Sequence, residues 1–133
     1  MENYEVIMCP QTLFQIKQDI SKNFNLSESI VVYPGDCLDL LKNIPDESLQ
    51  LVVTSPPYNI GKEYEKKLHL DVYLEQQAQV IKESVRALSP TGSICWQVGN
   101  YVDKGSIIPL DTVLFPIFHN LGLQMRNRII WHF

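Results

Sequence analysis

Residues 55–58 read Ser-Pro-Pro-Tyr and follow an apolar run, Leu49-Gln50-Leu51-Val52-Val53, that ends in Thr54. Pro57 biases Pro56 toward extended backbone, and Pro56 does the same to Ser55. Neither proline has an N–H to donate, yet each keeps its carbonyl as an acceptor. A strand ending this way presents a fixed row of acceptors: the Ser55 hydroxyl and the backbone oxygens of Ser55 and Pro56. Tyr58 sets a flat ring beside them. Acceptors next to a flat ring suit a planar molecule that bears an amino group. The same four residues also suit a proline-rich stop after a strand, with the tyrosine in the core.

Asp36 is a second candidate. It follows the strand-like Ser29-Ile30-Val31-Val32-Tyr33, and its carboxylate can either accept from a ligand or cap a helix over 37–43. Asn59 and Lys62 are candidates for lining an entrance, and Asn100 reads as structural. His69, His119 and His132 match no metal-binding spacing such as H-E-x-x-H, so no metal is expected. Gly61-Lys62 lacks the upstream glycine and following hydroxyl of a P-loop, which removes nucleotide hydrolysis. Cys9, Cys37 and Cys95 form no C-x-x-C pair and are odd in number; they read as small buried thiols.

These residues need elements to hold them. Leu13, Ile16, Ile20 and Phe24 recur at helical spacing, which predicts a helix over 11–24. A strand follows over 29–33, then a short helix from Cys37 to Asn43 and a turn at Pro45-Asp46-Glu47-Ser48. Residues 49–54 barely alternate, so that strand is expected to be buried on both faces. A loop over 55–69 leads to a long helix marked by Leu70, Leu74, Gln77 or Ala78, Ile81, Val85 and Leu88, with Asp71 near its start as a cap. Ser89-Pro90-Thr91-Gly92 is expected to end it. Residues 93–98 read as a third strand closed by Gly99-Asn100. A helix capped by Asp111 contains Pro116 and ends at Gly122, and residues 123–133 read as a fourth strand. The alternation predicts an α/β fold with a mostly parallel sheet flanked by helices on both faces. Ligands of such sheets gather beyond the carboxyl ends of the strands. Three strand ends carry special residues, Pro34-Gly35-Asp36, Thr54 to Tyr58, and Gly99-Asn100, and they are expected to converge.

The chain has 133 residues, 45% hydrophobic and 20% charged, with a formal net charge of -4. That composition is ordinary for a globular domain, and no apolar run approaches a membrane span. The first residues are acidic where a signal peptide is basic, so a cytoplasmic protein is expected. Proteins that grip DNA by its phosphates usually show a basic face, and the overall charge offers none. Lys62, Lys66 and Lys67 lie close after the Pro-Pro turn and read as a solvated loop.

Ser55-Pro56-Pro57-Tyr58 resembles the [D/N/S]-P-P-[Y/F] catalytic motif of the amino-group DNA methyltransferases. The surrounding "GDCLDLLKNIPDESLQLVVTSPPYNIGKEY" (35–64) is similar to the same region of permuted, β-class-like members, in which the catalytic half precedes the cofactor half. "SPTGSICWQVGN" (89–100) and "RNRIIWHF" (126–133) resemble the later strands of that half. The resemblance spans nearly all of residues 30–133. It implies a Rossmann-like methyltransferase half, with residues 1–28 as a helical N-terminal extension and 29–133 as the α/β core. It implies S-adenosylmethionine as cofactor, bound through Asp36 and Ser55, and catalysis by Ser55, Pro56, Pro57 and Tyr58. The implied partner is DNA with its target adenine or cytosine flipped out of the stack. Ser at the first motif position is more familiar among cytosine-N4 enzymes, Asp among adenine-N6 enzymes. Relatives acting on RNA or on glutamine side chains favour Asn there.

One departure matters. The family's glycine-rich F-x-G-x-G cofactor motif is absent, and no G-x-G occurs in the chain. The apolar stretch at 129–133 has no turn after it. Both features lead to the expectation of a fragment that is inactive alone. Such a fragment would pair with a missing C-terminal half or self-associate through an exposed sheet edge. The alternative is a non-catalytic remnant that keeps the fold.

Overall fold

The structure is a computed structural model that describes residues 20–25, 27–61, 63 and 66–132. It divides into two units, Met1–Pro34 and Gly35–Phe133. In the first, strand β1 (Ile20–Ser21) pairs in parallel with β2 (Ile30–Val31), Ile20 opposite Ile30 and Ser21 opposite Val31. The helix expected over 11–24 lies mostly outside the described residues, and at 20–21 the chain is strand instead. The polar run after it explains the break: the Ser21 hydroxyl donates to Asn23 O (2.9 Å) and Asn25 Oδ1 accepts from Ser27 N (3.0 Å). Such local bonds compete with the helical ladder.

The second unit opens with α1 (Cys37–Leu41), capped by Asp36, whose Oδ1 accepts from Leu38 N at 2.8 Å. Strand β3 (Leu49–Thr54) leads through the 55–69 loop to α2 (Leu70–Ala87). β4 (Leu88–Trp96) returns parallel to β3. The pair and its crossover helix form a β-α-β unit, the connection that parallel strands require. Arg86 fixes where β3 starts. It donates to Leu41 O (2.7 Å), Ile44 O (3.0 Å), Glu83 (2.8 Å) and the Asp46 carboxylate. Glu47 N returns a bond to Arg86 O at 3.0 Å.

Ser89-Pro90-Thr91-Gly92 does not separate helix from strand as expected. It lies inside β4, where the register slips from Leu49 opposite Leu88 to Leu51 opposite Ser93. Gly92 is required there, because a Cβ would meet the Leu88 side chain at 2.8 Å and Leu49 O at 3.0 Å. Beyond β4 runs a hairpin not foreseen from the sequence: β5 (Asn100–Asp103) and β6 (Ser106–Pro109), antiparallel. Its turn residues, Lys104 and Gly105, have φ of 48° and 83°, as a type I′ turn requires at both positions. Helix α3 (Leu110–Asn120) follows. Its N-cap is Pro109, with Asp111 in the first turn; α2 likewise starts at N-cap His69 and carries Asp71 in its first turn. Pro116 is accommodated inside α3, and Gly122 ends it at φ 88°.

The core joins Tyr73 and Ile81 of α2, Tyr101 of β5, and Leu110 and Leu114 of α3. Trp96 packs on it and meets Phe118 edge-on, ring centroids 5.5 Å apart. Only one face of the parallel pair is covered. On the other, Leu51 and Val53 are 57% and 68% exposed, and Ser93 and Cys95 are exposed beside them. This corrects the expectation of a strand buried twice over and of helices on both faces: within the second unit no described element covers that side. The thiols are corrected too, since Cys37 and Cys95 are both exposed while Cys9 lies outside the described residues.

The expected fourth strand is not formed. Residues 123–132 make no ladder, and Ile129, Ile130 and Trp131 are 90%, 77% and 75% exposed. Apolar β-branched sequence alone does not make a strand; its backbone groups need a partner edge. No helix among the described residues is long and apolar enough to cross a membrane.

Candidate active site

β3 ends at Thr54, whose carbonyl accepts from Gln97 N at 2.9 Å, and the Pro-Pro turn begins at once. The Ser55 Oγ and Tyr58 Oη lie 2.8 Å apart and share one hydrogen bond in which either oxygen can donate. Ser55 is exposed and Tyr58 half-buried, and together with Pro56 and Pro57 they line an open cleft of about 280 Å³. The serine and the ring therefore face the same solvent-accessible space.

Three supports hold this turn. The Tyr73 hydroxyl, rising from the first turn of α2, donates to Pro57 O at 2.9 Å. Gly99, just past β4, brings its backbone against the tyrosine: a Cβ there would sit 3.0 Å from Tyr58 Cδ2, tight enough to push the ring aside. Asn59 is 2% exposed and holds φ at 59°, a left-handed conformation that Asn tolerates better than most residues. Its side chain donates to Leu68 O (2.9 Å) and accepts from Leu68 N (2.6 Å), closing the base of the loop. Asn59 is thus a buried clamp and not part of an entrance; Lys62 lies outside the described residues.

Of the expected acceptor row, the Ser55 and Pro56 carbonyls meet no hydrogen-bond donor among the described residues, whereas the Pro57 carbonyl is taken by Tyr73. A hydroxyl has two lone pairs. Whichever of Ser55 and Tyr58 donates to the other, Ser55 keeps at least one lone pair for a third group. The site can thus accept hydrogen bonds from a planar amine while offering it a ring face. Tyr73→Phe is expected to destabilise the second unit by about 1 kcal/mol. For a domain of this size that lowers the melting temperature by about 4–8 °C, measurable by circular dichroism.

Of the three strand ends, the structure brings two together, Thr54 to Tyr58 and Gly99. Asp36 is exposed, caps α1, and shares no hydrogen bond with residues 55–58 among the described residues. Partial desolvation, then the charge of Asp36, pushes the Cys37 thiol above its ordinary value, which lowers its thiolate character. No group of three or more His, Cys, Asp or Glu positioned for a metal occurs among the described residues. Sequence reasoning missed Tyr73 and the Asn59–Leu68 clamp. The only signal for the first was a polar-tipped aromatic on the inward face of α2; for the second, an Asn just after the motif.

Residues 49–133 match the N6/N4 DNA methylase family. The type II methyltransferase M.BglII of Bacillus subtilis is 52% identical over 101 residues, covering 75% of this chain and 28% of the relative. The DNA adenine methyltransferase YhdJ of Escherichia coli K12 is 32% identical over 111 residues, 80% of this chain and 34% of YhdJ. Among solved structures, the cytosine-N4-specific PvuII DNA methyltransferase superposes with a TM-score of 0.54 at 31% identity, covering 68% of this chain and 33% of that one. TTHA0409 of Thermus thermophilus, solved with S-adenosyl-L-methionine, gives a TM-score of 0.54 at 32% identity over 66% of this chain and 39% of its own. The chain spans about a third of the length of these four proteins.

Proposed function

Because this chain belongs to the N6/N4 DNA methylase family, we propose that its second unit carries the base-holding end of an S-adenosylmethionine-dependent DNA methyltransferase that acts on the exocyclic amino group of adenine or cytosine. The observation that carries this reading is the 2.8 Å contact between Ser55 and Tyr58 in an open cleft at the carboxyl end of β3.

An exocyclic amine conjugates its lone pair into the heterocycle and is a poor nucleophile. Ser55 Oγ and the Pro56 carbonyl would accept from its two N–H groups and draw the nitrogen toward tetrahedral geometry. Positioned acceptors of this kind act without reorganising during the reaction. The Tyr58 ring would stack on the base, which must leave the duplex to reach it. Tyr73 holds the Pro57 carbonyl, between serine and tyrosine. Adenine and cytosine share the amino group these acceptors address, and relatives of both kinds match.

The donor set also fits the cofactor. Asp36 spends one acceptor site on Leu38 N, and an exposed carboxylate has about four, so acceptors remain for the amino or hydroxyl groups of S-adenosylmethionine. Ser55 would be only a minor contact to it, its hydroxyl being engaged by the amine of the base. When bound, the cofactor supplies an electrophilic methyl group. We place residues 29–133 as the α/β core of a Rossmann-like half whose sheet the remaining two-thirds of a relative-like protein would complete.

The isolated chain is expected to transfer no methyl group to duplex DNA, measured as incorporation of labelled methyl. Robust incorporation would overturn the view that this is half of a site. Joining residues 35–133 to the unmatched remainder of M.BglII is expected to restore transfer. A folded but silent chimera favours the reading of a non-catalytic remnant.

A further inference from the structure

We propose that Lys67 is a positioning residue for the Tyr58 ring, bridging the loop that follows the Ser-Pro-Pro-Tyr turn to the β5–β6 hairpin. The link to base stacking rests on the function proposed above; the bridge itself does not. Lys67 Nζ donates to Val102 O at 2.6 Å, across 35 residues of sequence, and sits 4.9 Å from the centroid of the Tyr101 ring. Tyr101 is 5% exposed and belongs to the core, so this anchor is rigid. On the loop side the neighbour of Lys67, Leu68, is held at both backbone groups by Asn59.

The contacts form a closed circuit around the tyrosine. From Tyr58 the chain passes to Asn59, across its side chain to Leu68 and Lys67, and over the ammonium to Val102. From Val102 it runs back through Tyr101 and Asn100 to Gly99, where an added Cβ would stand 3.0 Å from Tyr58 Cδ2. Lys67 is the only link of that circuit made by a flexible, charged side chain, and it closes the gap between the two segments that flank the ring. The sequence offers no hint of this, because the lysine looks like one of several in a polar loop. An ammonium that meets both a carbonyl and an aromatic face is held in two directions, and the pairing with the face adds attraction.

The test uses the full 133-residue chain. Lys67→Met keeps the stem and removes the charge; Lys67→Arg keeps the charge and a donor. Ring resonances of Tyr58, assigned with Tyr58→Phe, report the ring, and amide exchange of Ile81 in α2 reports whether the core stays intact. Adenosine and cytidine serve as binding probes. With Ile81 protection unchanged, Lys67→Met is expected to shift and broaden the Tyr58 resonances and weaken nucleoside binding about fivefold. Lys67→Arg is expected to restore both. Unchanged Tyr58 resonances in Lys67→Met overturn the proposal, and so does loss of Ile81 protection in step with the ring, which marks a general stability role. Altered resonances in Lys67→Met, with neither nucleoside binding the unsubstituted chain, uphold the bridge and overturn the base-stacking function instead.

Discussion

Ser55→Ala in the active chimera with M.BglII is expected to lower kcat by about 10²-fold while leaving the affinity for S-adenosylmethionine within about twofold, the loss typical of one preorganised hydrogen-bonding group. The reasoning follows from the geometry. Ser55 Oγ is exposed at the tip of β3, and its one protein partner among the described residues is the Tyr58 hydroxyl at 2.8 Å. Removing the oxygen leaves the Pro56 carbonyl to polarise the amine alone, which bears on the reacting state more than on binding. Tyr58→Phe separates the two duties of the tyrosine. The ring stays, so base affinity is expected to hold, while Ser55 loses its orienting partner and kcat falls by less than in Ser55→Ala. Tyr58→Ala removes the ring as well and is expected to raise the KM for DNA, since a stacked base is worth about 1–3 kcal/mol. Single-turnover kinetics with equilibrium cofactor binding read both effects. A large loss of cofactor affinity in Ser55→Ala, with unchanged turnover of bound substrate, would contradict the role given to the hydroxyl.

Asn59→Ala is expected to be the most damaging substitution outside the hydrophobic core. Asn59 is almost fully buried, sits at φ 59°, and satisfies both backbone groups of Leu68. Alanine strands the Leu68 donor and acceptor in a half-buried setting, each costing about 1 kcal/mol, and adds about 1–2 kcal/mol of left-handed strain. Urea unfolding followed by far-ultraviolet circular dichroism should show the midpoint fall steeply with little change in slope. Asn59→Asp is the informative control. Its carboxylate still accepts from Leu68 N but meets the Leu68 carbonyl oxygen instead of donating to it, so it too is expected to be destabilised. If Asn59→Ala unfolds at the parent midpoint, the clamp is not what holds the loop.

The two experiments probe one design at different depths. The chemistry depends on oxygens at the surface, and their placement depends on polar groups behind them: Tyr73 under Pro57, Asn59 around Leu68, Lys67 on Val102. A strand end gives direction but not rigidity. The prolines limit the backbone near Ser55, while the ring of Tyr58 is held by packing against the core, by its hydroxyl contact with Ser55, and by the close approach that Gly99 allows the chain after β4.

Local rules were enough for much of this protein. Proline stereochemistry after an apolar run told where acceptors would be displayed, the period of residues 70–87 told where the crossover helix would lie, and Asp36 before Cys37 told where α1 begins. These features depend on neighbours in sequence, so sequence contains them. Tertiary structure alone decided which face of β3 is bare, since an apolar run reads the same whether one or two layers cover it. It decided that 123–132 is not a strand, because a strand is a relation between two edges and not a property of one segment. It also decided the partners of Tyr73, Asn59 and Lys67. Their hydrogen bonds join residues from 9 to 35 positions apart, and no pattern in the intervening residues records which carbonyl a side chain will reach.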